Sequence, residues 1–206
     1  MLVHSLEDRY IESIGHAFGY YDYGSETGLA AAFESPEKTA VYITGFARAM
    51  LQASLLYTTS SRYEAFIAYK LPGQKIRPAA FLPLLRGVFQ SLTFGELLHF
   101  ARAMKKGGAS LHDRYDKQKK PFVYVGMVCV LEAYQHQGYM RKLLDMAYRE
   151  GDRLGVPVIL ETDAMSKCVK YQHLGMELAG TRDVGAFGTL YDLIRYPKSP
   201  SSEESV

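Results

Sequence analysis

The chain predicts an α/β fold in which one sheet is covered by helices on both faces, and two observations carry that reading. The C-terminal half alternates apolar runs with amphipathic stretches that end on glycine, a βαβα unit followed by a closing strand. Nearer the N-terminus, two runs rich in β-branched and aromatic residues are joined by Ser60-Ser61, the signature of a hairpin. A parallel pair linked by a crossover helix needs both faces of its sheet buried, so helices must lie above and below it.

The elements follow in order. Leu6, Tyr10, Ile14 and Phe18 recur at four-residue spacing and predict a helix over 5–18, ended by Gly19. Ser35-Pro36 opens a second helix with an N-cap hydroxyl and a proline at the first position, and its apolar pattern runs to about Leu51. Strands are predicted over 54–59 and 62–69, closed by Leu71-Pro72-Gly73. From Pro78 to Gly107 the pattern is helical again. Thr93 with Glu96 forms a capping box, and Lys105-Lys106 suit the negative end of the helix dipole. The stretch 102–120 carries seven Lys or Arg, two Asp and the Gly107-Gly108 break, and it reads as a solvated, mobile loop. After it come a strand over 122–130, a helix over 138–154, a strand over 156–162, a short helix over 165–174 and a strand over 190–196.

Composition narrows the function classes. The 206 residues carry 24 Lys and Arg against 22 Asp and Glu, a net charge of +2, which gives no reason to expect a nucleic-acid footprint, a polybasic membrane patch or a strongly acidic acceptor. Apolar runs fall well short of the ~20 residues that cross a bilayer. Two cysteines and no basic, apolar leader point to a reducing cytoplasm. Cys129 and Cys168 read as small core residues. The six His show no ligand-like spacing, so no metal is expected.

The chemistry concentrates in VCVLEAYQHQGYMRKLL, Val128 to Leu144. A buried strand ends at Val130, and a polar turn leads straight into a helix. The free N–H groups of such a helix start attract phosphate, and Gly138 lets a diphosphate approach the main chain. A tight strand-to-helix turn would use the same glycine.

These residues resemble a known family. Gln135, Gly138 and Met140, after a strand ending in Val and before Leu-Leu, look like the acyl-CoA diphosphate loop of the GCN5-related N-acetyltransferases (GNAT). The downstream block LETDAMSKCVKYQHLGMEL resembles the family's second motif through Tyr171, Gly175 and Met176. More loosely, Ala17-Phe18, Leu71 to Gly73, the helical stretch and His112 resemble the branch that includes puromycin N-acetyltransferase. Two positions depart from the pattern. Met140 replaces a small residue, so its side chain must point away from the diphosphate or the loop must sit farther off. Lys167 replaces the usual turn Asn, where it would reach a CoA phosphate or face water.

The resemblance implies a GNAT-type mixed, mostly antiparallel sheet flanked by helices on both faces, opened by a parallel splay, with a helical insertion. It divides the chain into a single domain over 1–197 and a disordered tail over 198–206. Within the domain, 1–75 form the acceptor side, 76–108 the insertion and 120–196 the acetyl-CoA-binding half. The implied activity is direct transfer of an acetyl group from acetyl-CoA, as co-substrate, to a primary amine of a small molecule. A non-catalytic acyl-CoA sensor and a peptide N-terminal acetyltransferase are the alternatives, and the assembly is a monomer or homodimer.

The cofactor set implied is Val128, Cys129, Val130, Gln135, His136, Gln137, Gly138, Tyr139, Met140, Arg141, Lys142 and Lys167. Backbone N–H groups late in the 122–130 strand would stabilise the developing oxyanion. Tyr171 matches the acid that protonates the departing thiolate. That strand offers no acidic residue, so Glu161 and His112 remain as base candidates, with loss of the proton to water, and no dedicated base, as the alternative. Tyr20, Tyr21, Tyr23, Tyr57 and Tyr69 are expected to line the acceptor site, since tyrosine offers an apolar face and a hydroxyl together.

Overall fold

The computed structural model describes residues 1–26 and 28–198, which form a six-stranded sheet between two helical layers. The strands are β1 (Leu56–Thr58), β2 (Ala65–Lys70), β3 (Val123–Val130), β4 (Val158–Thr162), β5 (Glu177–Asp183) and β6 (Thr189–Arg195). Their spatial order is β1-β2-β3-β4-β6-β5, and every neighbouring pair is antiparallel except β3–β4. Among the described residues no helix is long and apolar enough to cross a membrane.

That parallel pair is short. Val123, Tyr124 and Val125 sit opposite Val158, Ile159 and Leu160. Beyond them β3 stays on β2 and β4 stays on β6, so the two strands part from Gly126 onward. Opposite Ala68 and Tyr69 the register jumps from Met127 to Val125 and leaves Gly126 unpaired, a β-bulge. The bulge reverses which side chains face which layer. Val123, Val125, Val128 and Val130 join one apolar cluster, while Met127 and Cys129 join the other.

Helices α6 (Tyr139–Leu154) and α7 (Met165–His173) cover the first of these faces. Leu143, Leu144 and Ala147 of α6 are fully buried, and each leucine is worth ~1.5–3 kcal/mol over an exposed one. Gly151 permits the close packing, because a Cβ there would stand 2.7 Å from Val158 Cγ2. Helices α1 (Asp8–Gly19) and α2 (Pro36–Gln52) cover the opposite face through Ile11, Ile14, Ile43 and Ala47. As expected, the Ser35 hydroxyl accepts the Lys38 N–H at the start of α2.

Between β2 and β3 the chain forms α3 (Leu82–Ser91), α4 (Phe94–Gly107) and α5 (Leu111–Lys117). Both halves of the predicted Thr93/Glu96 capping box are present in α4. The predicted mobile loop over 102–120 is instead largely helical. Ser110 and Asp113 make a second reciprocal capping box, and Leu111 is buried against Ile159 and Ile194. Strand β5 is an addition to the expected set. It pairs with β6 along the sheet edge, and most of its side chains are exposed. The predicted tail lies outside the described residues except for Lys198, whose N–H donates to Asp152 Oδ1 at 2.7 Å.

Candidate active site

The parting of β3 from β4 creates the site. Leu131 N–H donates to Glu64 O on the β2 side, so by alternation Cys129 N–H points the same way, and Val128 and Val130 N–H point into the cleft. These are main-chain donors with no strand opposite them.

The cleft leads to the start of α6. Between Val130 and that helix lie a one-turn 3-10 segment, Glu132–Tyr134, and the polar loop. His136 (φ 62°) and Gly138 (φ 77°) adopt left-handed backbone, so the chain doubles back sharply. Gln137 Nε2 donates to Ala133 O at 3.1 Å, tying the loop to the preceding turn. Among the described residues no side chain caps α6, so the helix itself supplies no acceptor for its first N–H groups. Met140 packs inward against the β3/α6 cluster, so its thioether points away from the loop's outer surface. Tyr139 packs there too. Lys142 Nζ stands 4.5 Å from its ring centre, and Arg141 is exposed.

Tyr171 lies late in α7, buried in the α6-side cluster. Burial first, then Asp163, Tyr148, Tyr21 and Cys129, push its phenol well above the usual tyrosine range. Its neighbours thus come from β3, α6, the end of β4 and the segment after α1.

Lys167 is neither solvated nor open to a phosphate. Its ammonium donates to Asp163 Oδ1 at 2.8 Å and to Tyr23 Oη at 2.9 Å, beneath the rings of Tyr21 and Tyr23. Tyr23 Oη donates to Asp163 Oδ2 at 2.7 Å. One step along, Glu26 accepts the N–H groups of Met165 and Ser166 at the start of α7. The segment after α1 is thereby fastened to the helix that carries Tyr171.

The opposite face of β3 holds a cavity of about 560 Å³. Its floor is Tyr124 and the bulged Gly126, its apolar wall includes Phe46 and Met50 of α2, and His112 of α5 borders it. The imidazole of His112 packs against Tyr124, ring centres 4.6 Å apart. Its Nδ1 lies 2.9 Å from Ser110 Oγ and its Nε2 3.5 Å from Asp113 Oδ1. Burial, with Asp113, Asp192 and Tyr42 nearby, lifts the Tyr124 phenol to about 12.

Glu161 stands where β4 has left β3, and its carboxylate is paired with Arg182 of β5. Arg182 also approaches Asp192 of β6 at 3.5 Å, and Asp192 accepts the Leu111 N–H at 3.2 Å. This buried network joins β4, β5, β6 and α5.

The five tyrosines selected from the sequence do not converge. Tyr20 is half-exposed, bonded to Glu37, and lines a larger open groove of about 900 Å³ between α1, α2 and α3 that contains no sheet residue. Tyr21 and Tyr23 contact Lys170 and Lys167 of α7. Tyr57 and Tyr69 stack at 4.1 Å against the α6 side, and only Tyr69 also borders the cavity. Sequence reasoning missed Tyr124, Asp163 and Asp192. A lone acid inside the apolar run LYDLIR was the available signal for Asp192.

Residues 96–167 match the model of the acetyltransferase (GNAT) family. An uncharacterized N-acetyltransferase of Schizosaccharomyces pombe is 28% identical over 169 residues, 72% of this chain and 70% of that protein. Among solved structures, a histone acetyltransferase HPA2-related acetyltransferase of Corynebacterium glutamicum superposes with TM-score 0.56 at 15% identity, covering 98% of each chain. An N-acetyltransferase of Staphylococcus aureus gives 0.51 at 13% identity, covering 94% of this chain and 99% of that one. The chain spans about half (51%) of a nourseothricin acetyltransferase that it matches over 37% of its own length, at 15% identity and TM-score 0.33. Family model, fungal relative and whole-chain fold agree: residues 96–167 carry the acetyltransferase (GNAT) match, and the chain as a whole has the fold of the solved acetyltransferases.

Proposed function

We propose that this acetyltransferase moves the acetyl group of acetyl-CoA to a primary amine of a small molecule by direct attack. The observation that carries the reading is the cleft itself. Two unopposed main-chain donors on β3 run toward an uncapped helix start on one side, and a half-open cavity abuts the same strand on the other. The cavity's volume suits a small ligand better than a peptide chain.

Roles follow from position. The first-turn N–H groups of α6, with Gly138 leaving the main chain uncovered, would hold the diphosphate of the co-substrate. Val128 and Val130 N–H would receive the thioester carbonyl, about 7 Å along β3 from the bulge at Gly126. The amine nitrogen attacks the carbonyl carbon, a C–N bond forms and the C–S bond breaks. His112 takes the proton lost by nitrogen, and Tyr171 supplies one to the departing sulfur. Glu161, already paired with Arg182, serves the network rather than the proton transfer.

Two measurements test this reading. The protein should release free thiol from acetyl-CoA when amines are added, and no release across a broad amine panel would sink the enzymatic reading. Gly138→Val should weaken acetyl-CoA binding by at least about tenfold in calorimetry, because valine resists φ 77° and its branches crowd the N–H cradle. An unchanged dissociation constant, with the fold verified by circular dichroism, would remove the α6 start from the cofactor site.

A further inference from the structure

The rim of the cavity says what kind of amine it would admit. Three lysines border it, Lys70 at the end of β2 and Lys119 and Lys120 just after α5, against the single carboxylate of Asp116. None of the three has an ion-pair partner among the described residues. Lys120 has only a distant ring contact, 5.8 Å from the centre of Tyr115. Among the described residues, then, their ammonium groups are free to meet a bound anion.

The chain keeps its charge there at a cost in backbone comfort. Lys119 sits at φ 53°, in the left-handed turn that closes α5, where its N–H reaches Asp116 O and the next one reaches Tyr115 O. Glycine or asparagine fills such a position with less strain. Lysine adds a cation at the mouth of an otherwise greasy cavity whose walls include Leu71, Ile76, Phe81 and Phe122.

We infer that the acceptor is an amphipathic amine, with an apolar body in the cavity and an anionic group remote from its amino group. The anion sits at the Lys70, Lys119 and Lys120 rim, which orients the amino end toward Gly126 and the β3–β4 cleft. A near-neutral chain hides this preference, because the local excess of two positive charges disappears in the total. The inference rests on the cavity being the acceptor site of the proposed reaction.

Matched probes test it. 4-(2-Aminoethyl)benzoate and phenethylamine share a body and differ in the remote carboxylate. The wild-type protein should favour the carboxylate in kcat/KM by about tenfold, as two or three partly solvated ion pairs would give, and this preference should shrink as salt is raised. In Lys119→Glu/Lys120→Glu the ratio should invert, with the change carried by KM. Equal values for the two amines in wild type, or an unchanged ratio in the variant, would overturn the inference. Binding of 4-ethylbenzoate, which has no amine, gives a second readout by ligand-observed NMR. It should bind wild type and be lost in the variant, and absence of binding or equal binding would overturn the anion site. Binding without turnover of any amine would instead leave the anion site standing and count against the acetyl-transfer reading.

Discussion

Tyr171→Phe is expected to lower kcat by about 10²-fold while leaving acetyl-CoA affinity within a factor of about two. General acids contribute ~10²–10⁴-fold, and the environment of this phenol places it at the lower end. Its burial and its acidic and phenolic neighbours push its pKa upward, away from the ~8.5 of an ordinary thiol. Full transfer of its proton to a thiolate is therefore uphill. Its contribution is a hydrogen bond that strengthens as negative charge builds on sulfur, with the transfer completed late. The same direction fixes the pH behaviour. A phenol whose folded-state pKa lies above 10 stays protonated through the neutral and mildly alkaline range, so Tyr171 produces no loss of activity below about pH 10. The ring itself belongs to the α6-side cluster, and phenylalanine keeps that packing, so the melting temperature should move little. Thiol release measured against pH for both proteins decides the matter. A loss smaller than about threefold in kcat, or a larger effect on binding than on turnover, would take Tyr171 out of the proton path.

The C-terminal half was legible because its physics is local. An apolar strand, an uncapped turn with Gly138 and an amphipathic helix closed by Gly155 each follow from periodicity and backbone preference within a few residues. Element α5 was hidden by composition. Its capping box, Ser110 with Asp113, stands in the sequence, but seven basic residues over 102–120 outweigh it in any charge-based reading. Strand β5 escaped for a different reason. It lies at the sheet edge and exposes both faces along much of its length, so its residues show no alternation to detect. The proposed acceptor side is harder still, because adjacency in sequence does not survive the turn after α1. Tyr20 remains with Glu37 at the surface while Tyr23, three residues on, bonds to Asp163. Tyr124 is identified only through the bulge at Gly126, which turns the start of β3 toward the cavity by a shift that composition cannot encode.

Asp192→Ala should be the most destabilising polar substitution at the site, costing about 3–5 kcal/mol. Asp192 is 2% exposed and receives a buried N–H from Leu111 while standing 3.5 Å from Arg182, itself only 10% exposed. Removing its carboxylate leaves a largely buried guanidinium with Glu161 and a long 3.5 Å contact to Gly108 O, and strands the donor that begins α5. Arg114 contributes less than these two, since it is half-exposed and 3.7 Å away. For a chain of this length the loss corresponds to a fall of roughly 6–20 °C in Tm. Asparagine at the same position keeps an oxygen for the Leu111 N–H and removes only the charge, so Asp192→Asn should recover part of the deficit. The functional consequence travels through α5. That helix carries His112 against Tyr124 and ends in the Lys119 turn, so loosening its first turn should raise KM for the amine at temperatures where the variant remains folded, with binding of acetyl-CoA less affected. Urea unfolding of the three proteins, with amine kinetics at matched folded fraction, separates the two effects. A destabilisation below about 1 kcal/mol for the alanine variant would mean that Arg182 and the α5 start find other partners, and that the network does not hold the acceptor face together.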